Sequence, residues 1–139
     1  MAGLKIDKTF LSLAVGVFTA LMVIYFTYEL WVNPVEFTSK FAPPLAVVDY
    51  GTLVRARWIS NRIFPYGIVM LIAVFRKEYK VVGYLLLLRF GVDFMDGSVL
   101  ALSLTNNHPH GLDAVRVMVG AYALSVLNLL AGIHLIRKK

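Results

Sequence analysis

The 139-residue chain contains no cysteine. It therefore has no disulfide bond, thiolate nucleophile, iron–sulfur cluster or cysteine-bound zinc, although this absence says nothing about the redox compartment. GxGxxG, P-loop, GxSxG and HExxH motifs are also missing, and no serine or threonine has an adjacent histidine that could activate it. The sequence thus lacks the usual signatures of dinucleotide binding, phosphate binding, serine hydrolysis and zinc proteolysis.

Charged residues are scarce: they make up 16% of the chain, whereas 59% of it is hydrophobic. The mean hydropathy is +0.73, and ordinary soluble domains contain only about 45–50% apolar residues. Four apolar runs, at about residues 9–31, 52–75, 81–104 and 114–136, each approach the length that crosses a bilayer. We therefore predict one all-α integral membrane domain over residues 1–139, a four-helix transmembrane bundle in the lipid bilayer.

The net charge of +6 is distributed unevenly along the chain. Eight basic residues, opposed only by Asp7 and Glu78, lie near the two ends and between the second and third runs: Lys5, Lys8, Arg76, Lys77, Lys80, Arg137, Lys138 and Lys139. Because cytoplasmic segments are enriched in lysine and arginine, both termini are predicted to face the cytoplasm, with the chain in the plasma (inner) membrane. The basic residues form no soluble patch that would indicate nucleic-acid binding. The first run is too long for a signal-peptide core and lacks a cleavage site.

The third apolar run carries three charges that a membrane helix does not normally keep. Arg89, Asp93 and Asp96 fall within an arc of about 60° at about 100° per residue, so they share one helix face. Each charge near the bilayer centre costs at least about 2.5–3.5 kcal/mol. The three residues are therefore expected to have partners, whether for structure or for chemistry.

The second run supplies the predicted partners. Arg62 and Tyr66 each lie within about 20° of Arg55 on that helix, flanked by Trp58, while Asn61 lies on another side. Arg62 is roughly 15 Å into the helix, and the short basic turn at 76–80 makes the second and third helices an antiparallel hairpin. We therefore expect Arg62 to reach the depth of Asp93 and Asp96 in the third run and to pair with them.

The outer side of the bundle holds further polar groups. Glu29 lies about 40° from Tyr25 on the first helix, so both could face inward, or Glu29 could lie at the interface. The long connection at 32–51 contains two proline sites that exclude one regular helix, and it is apolar enough to cover the mouth of the bundle. His108 and His110, in a Pro/Gly loop before Asp113, fit a metal site, a solvated turn or a role over that mouth.

Two interpretations of the charged cluster remain open from the residues alone. In one, Arg89 pairs with Asp93 four residues on, and the cluster is a structural ion-pair network. In the other, two carboxylates in a low dielectric cannot both ionise easily, so one is held protonated as a general acid while the other is paired. Such a site would act on a hydrophobic small molecule by opening an epoxide, cyclising or isomerising. It could equally hold a quinone or a lipid headgroup without reacting.

The predicted site follows from the second interpretation. The candidate catalytic residues are Asp93, Asp96, Arg62 and Arg89. The candidate substrate-binding residues are Arg55, Trp58, Asn61, Tyr66, Glu29 and Tyr25. No cofactor and no resident metal are predicted. The alternative is a non-catalytic accessory or lipid-binding subunit, and a proton-coupled transporter built from a dimer is a third hypothesis. The expected partners are the bilayer, a hydrophobic ligand, and another copy of the chain or a membrane subunit.

The stretch LLLLRFGVDFMDG at 85–97, with an arginine near the start of the second span and a basic turn before the third, resembles small four-helix membrane proteins of the DoxX-like type and related uncharacterised families. That resemblance implies a four-span architecture more than an activity. The chain is also similar, more loosely, to small integral-membrane terpene cyclases, which use intramembrane carboxylates for proton-initiated chemistry. That similarity implies acid catalysis on a greasy substrate, although those enzymes typically have more helices.

Overall fold

The structure is a computed structural model, and it describes residues 7–39, 50–105 and 114–138. These residues form five helices and, within the described ranges, no strand: α1 (Lys8–Val32), α2 (Pro34–Ser39), α3 (Tyr50–Phe75), α4 (Tyr79–Thr105) and α5 (Ala114–Ile136). The predicted all-helical class is confirmed. Three helices, Lys8–Val32, Leu53–Phe75 and Ala114–Ile136, are long and apolar enough to cross a membrane.

Helix α1 begins at a capped end. The Asp7 carboxylate accepts a hydrogen bond from the Thr9 backbone N–H at 2.9 Å, which satisfies one of the amides that the first turn leaves free. This hydrogen bond lowers the pKa of Asp7 below its usual value. The buried residues of α1 recur about once per turn, and all but Val23 are small or bear a hydroxyl: Ser12, Gly16, Thr19, Ala20, Val23 and Thr27. This spacing lets neighbouring helices pack closely against α1.

Helix α3 packs antiparallel to α1. At its centre, a β-carbon added at Gly67 would lie 3.1 Å from the Ala20 carbonyl oxygen, so the two backbones nearly touch. Towards its start, Ser60 donates a hydrogen bond to the Thr27 carbonyl at 2.9 Å. Pro65 lies inside α3 at an exposed position, and the helix continues through it.

A tight turn joins α3 to α4. The Glu78 N–H donates to the Ala73 carbonyl at 2.9 Å and the Lys77 N–H donates to the Val74 carbonyl at 3.0 Å. This is the Schellman arrangement, which needs a left-handed residue just past the helix end. Lys77 occupies that position with φ = 56°, although glycine is the residue that adopts it without steric cost.

The helices pair unequally. Helix α4 makes its most extensive contact with α5, α3 packs mainly on α1, and α1 also packs on α5, whereas α3 and α4 touch much less. The α4 and α5 backbones lie very close together at two glycines. A β-carbon added at Gly83 would lie 2.9 Å from the Gly132 carbonyl oxygen, and one added at Gly132 would lie 2.9 Å from the Gly83 carbonyl oxygen. The bundle is therefore two tight antiparallel pairs joined through α1 and α5.

One end of the bundle carries Lys138 and the basic α3–α4 turn. Lys138, just after α5, donates to the Thr9 hydroxyl at 3.2 Å and lies 4.1 Å from the ring centroid of Tyr79 at the start of α4. The α3–α4 turn lies at the same end. We call this the turn end of the bundle, and the opposite end, where α1 and α4 finish, the far end.

Candidate functional site

A buried polar network lies at the centre of the bundle. Asp93 on α4 is 3% exposed. Its Oδ1 lies 2.6 Å from Nη2 of Arg89, one turn earlier on the same helix. Its Oδ2 accepts a hydrogen bond from Nδ2 of Asn128 on α5 at 2.9 Å. The Asn128 Oδ1 in turn accepts from the Thr19 hydroxyl on α1 at 2.7 Å. We call these four residues the Asp93 network.

Within the Asp93 network, hydrogen bonding is complete at Asp93 and Asn128 but not at Arg89. An ionised carboxylate can only accept, so the Asn128 amide must direct its nitrogen at Asp93 and its oxygen at the Thr19 hydroxyl. Both oxygens of Asp93 and both polar atoms of Asn128 are thereby used. The Arg89 Nε is buried without a partner among the described residues. The network is electrically neutral and connects α4, α5 and α1, the three helices that meet there.

Tyr66 is the predicted binding residue that comes nearest to this network. Its hydroxyl donates to the backbone carbonyl of Leu85, one turn before Arg89 on α4. The Tyr66 side chain is half-buried. Tyr66 therefore links α3 to α4 on the turn-end side of the Arg89–Asp93 pair.

Arg62 does not occupy its predicted position opposite the carboxylates. Its guanidinium lies 5.2 Å from the ring centroid of Trp58, and no acidic group among residues 7–39, 50–105 and 114–138 is within 4.0 Å of it. The register explains the difference. Because Tyr66 meets Leu85, an antiparallel path along the two helices brings Arg62 level with Arg89, about one 5.4 Å turn short of Asp93. The expected Arg62–Asp93 pair is wrong, and the cation of Arg89 takes that place.

The two carboxylates of α4, Asp93 and Asp96, lie in different surroundings. Asp93 is enclosed, whereas Asp96 is exposed and has no ion pair or hydrogen bond among the described residues. Three residues rotate the side chain by about 300°, so Asp96 lies about 60° around α4 from Asp93. That rotation is enough to take Asp96 off the face that packs on α5.

The remaining predicted binding residues lie towards the far end, and all but Glu29 are exposed. Arg57 lies over Trp31 at 5.3 Å from its ring centroid, which joins α3 to α1 by a cation–π contact. Arg55, Trp58, Asn61 and Tyr25 are exposed, and Glu29 is half-buried. Tyr25 and Glu29 therefore do not face the interior together. The structure brings Arg89 and Asp93 together and leaves the other predicted site residues outside their contact distance, apart from Tyr66 on the neighbouring turn.

Two surface cavities lie away from the Asp93 network. One, of about 320 Å³, is at the far end and is lined by Val32, Asn33, Pro34, Val35, Glu36, Leu53 and Arg57. The other, of about 470 Å³, is an apolar groove between α1 and α3 in the turn-end half, lined by Phe10, Leu13, Ala14, Val17, Phe18, Leu21 and Val74. Neither cavity is lined by a residue of the network.

The connection after α1 begins with an unpredicted short helix. Within α2, Phe37 is 6% exposed and its ring centroid lies 5.5 Å from that of Phe26 on α1. Pro34 is the first residue of α2, a position where proline is tolerated because its missing N–H would have had no partner. The sequence hypothesis that this connection covers the mouth of the bundle falls partly on residues 40–49, which lie outside the described ranges.

The structure describes one of the three histidines of the chain. His108, His110 and Asp113 lie outside the described residues. Within the described ranges no group of three or more His, Cys, Asp or Glu side chains could hold a metal ion. His134 in the last turn of α5 is half-buried, and its Nε2 has no hydrogen-bond partner in the part of the chain that is described.

The predicted site included neither Thr19 nor Asn128, although both belong to the network. The signal for Thr19 was its place in the buried stripe of α1 together with Gly16 and Val23, spaced by three and four residues. Such a stripe predicts a helix contact face, but it does not tell which polar side chain on another helix the hydroxyl will meet.

Comparison with models of known protein families, with curated proteins and with solved structures finds no match to this chain.

Proposed function

We propose that the chain is a four-span integral membrane protein of the plasma (inner) membrane, with both termini on the cytoplasmic side. Helix α4, with 27 residues, would extend about 40 Å, which is long enough to cross. Its charges are the obstacle to crossing. Arg89 and Asp93 neutralise each other at 2.6 Å inside the bundle, which lowers the cost of two of the three charges. The basic turn end supports a cytoplasmic location for both termini.

We propose further that the protein is a non-catalytic membrane subunit, and that its Asp93 network is structural. One observation carries this proposal: the carboxylate best placed to be an acid is 3% exposed and has both oxygens occupied by Arg89 and Asn128. A general acid must come within hydrogen-bond reach of the atom that it protonates. The exposed polar groups of α3 and α4 would then be the surface for a lipid, a quinone or a partner protein.

Metabolite analysis tests this proposal directly. Membranes are prepared from cells producing wild type, Asp93→Asn or Asp96→Asn at equal levels, and their organic extracts are compared by mass spectrometry. A subunit without catalysis gives no product that depends on either carboxylate. A hydrophobic product that appears with wild type and disappears with Asp93→Asn contradicts the proposal. Glu36→Gln, an exposed acid on α2 far from the network, is the matched control.

The second candidate is the acid–base membrane enzyme, and the exposure of Asp96 is the observation that favours it. A carboxylate at the surface of α4 can meet a terpenoid, quinone or lipid-like molecule in the bilayer, with Arg89 as the nearby cation. In that case Asp96 would donate the proton, and the Arg89–Asp93 pair would hold the helix in place. The same extracts would then lose the product with Asp96→Asn, even though the protein accumulates normally.

A further inference from the structure

Two opposite charges on the surface of the bundle have no partner in the part of their own chain that the structure describes. Asp96 on α4 and Arg55 on α3 are both exposed. Among residues 7–39, 50–105 and 114–138, neither side chain has an ion pair, a hydrogen bond or a ring contact. Arg57 and Arg62, by contrast, each lie over a tryptophan ring of the same chain. Arg55 is therefore the unsatisfied arginine of α3.

The register of α3 against α4 places these two charges at one depth. Tyr66 meets Leu85 across the pair. Arg55 lies 11 residues before Tyr66, and Asp96 lies 11 residues after Leu85. At about 1.5 Å per residue each is about 16 Å from that contact towards the far end. Two groups on different helices thus reach the same level in the membrane.

The two charges do not meet inside one chain. Helix α4 turns its close-packed face to α5, α3 turns its own to α1, and α3 and α4 make little contact. Among the described residues, the Arg89 cation acts on Asp96, but Asp93 already neutralises Arg89 at 2.6 Å. A carboxylate at this depth is costly unless a cation pairs with it.

We propose that two copies of this chain associate through reciprocal ion pairs, Asp96 on α4 of one copy with Arg55 on α3 of the other. This inference rests on the proposed crossing of the membrane by α4. Copies inserted in the same orientation hold each group at the same depth, so a two-fold axis along the membrane normal forms both pairs at once. Exposed apolar residues on α4 at spacings of four and three supply the surrounding contact: Leu88, Val92, Met95, Val99 and Leu102.

Charge reversal in trans tests the pairing. Full-length protein is labelled with donor or acceptor dye, reconstituted in phosphatidylcholine vesicles, and energy transfer is measured across protein-to-lipid ratios. Asp96→Arg alone and Arg55→Asp alone each place two like-charged contacts in the dimer, so each is expected to dimerise at least about tenfold more weakly, about 1.4 kcal/mol. A mixture of the two variants restores both ion pairs and is expected to regain energy transfer between the two proteins.

The results that would overturn the proposal are equally defined. Either the single variants dimerise as wild type does, or their mixture gains nothing over each alone. The matched controls Glu36→Arg and Lys80→Asp reverse exposed charges elsewhere and should leave association unchanged. The variant with both changes in one chain should dimerise with itself, which separates loss of pairing from loss of folding.

A cross-link tests the register independently, and the absence of native cysteine makes it clean. Val92 and Ile59, each one turn nearer the turn end than its charged neighbour, lie 7 residues from Leu85 and Tyr66 and are exposed. V92C in one copy and I59C in another should form a mixed disulfide in vesicles, whereas each alone should not. If the chain crosses the membrane four times but no mixed cross-link forms, the dimer proposal is wrong and the four-span proposal stands. If labelling shows that α4 lies outside the membrane, the four-span proposal itself is wrong.

Discussion

Breaking the Arg89–Asp93 pair from one side should cost far more than replacing both residues. Asp93→Leu would leave the Arg89 cation, whose side chain is 13% exposed, buried without an acid, and it would leave Nδ2 of Asn128 without an acceptor. Removal of one partner from a buried pair typically costs about 3–5 kcal/mol. We expect a loss in that range in the free energy of unfolding. The lost hydrogen bond of Asn128 does not add to this loss, because Arg89 and Asn128 share one site and their energies are not additive.

The double variant Arg89→Leu/Asp93→Leu removes both charges and fills the space with apolar side chains. Replacement of a buried ion pair by hydrophobic residues is often neutral or stabilising. We expect its stability to lie within about 1 kcal/mol of wild type, although Asn128 still loses an acceptor. The measurement is reversible unfolding by sodium dodecyl sulfate in mixed micelles, followed by circular dichroism. The two single variants and the double variant together form a double-mutant cycle.

Two outcomes would refute this reasoning about the Asp93 network. If Asp93→Leu costs less than about 1 kcal/mol, Arg89 is not confined and can reach water by extending its side chain. If the double variant is as unstable as the single variant, the attraction between the charges contributes strongly to stability. Leu88→Ala, at an exposed position one residue from Arg89, is the control for a general effect of changing α4.

The remaining predictions concern packing, the turn and the topology. Gly83→Leu should separate α4 from α5 because its side chain would meet α5 backbone, and it should lower thermal stability by at least about 1–3 kcal/mol, whereas the same change at Gly91, where nothing lies within 4 Å, should not. Lys77→Gly should raise stability by about 0.5–1 kcal/mol because φ there is 56°. Lys77→Ala should not raise it, and equal gains from both changes would contradict the explanation. S39C should react with an impermeant maleimide from outside whole cells and K80C only after lysis; the reverse pattern would overturn the proposed orientation.

How far the site could be predicted depended on whether its contacts were local. The Arg89–Asp93 pair lies four residues apart on one helix, so helical geometry alone was enough to expect it as one alternative. The pairing of Arg62 with the carboxylates needed the register between two helices. A shift of one turn, about 5.4 Å, was enough to put Arg62 opposite a cation instead, and the basic turn at 76–80 does not determine that shift.

The sequence alone determined the all-helical fold, since apolar runs of membrane length can satisfy their backbone groups only within a helix. It also determined that α4 carries three charges on one side, because 3.6 residues per turn place them there. Only the tertiary structure decided which helices pair. Because α4 contacts α5 far more than its hairpin neighbour α3, Asp93 meets Asn128, which in turn meets Thr19 on α1. The physical reason is close packing: Gly83 and Gly132 let two backbones approach, and that approach is a property of two surfaces that no single helix pattern specifies.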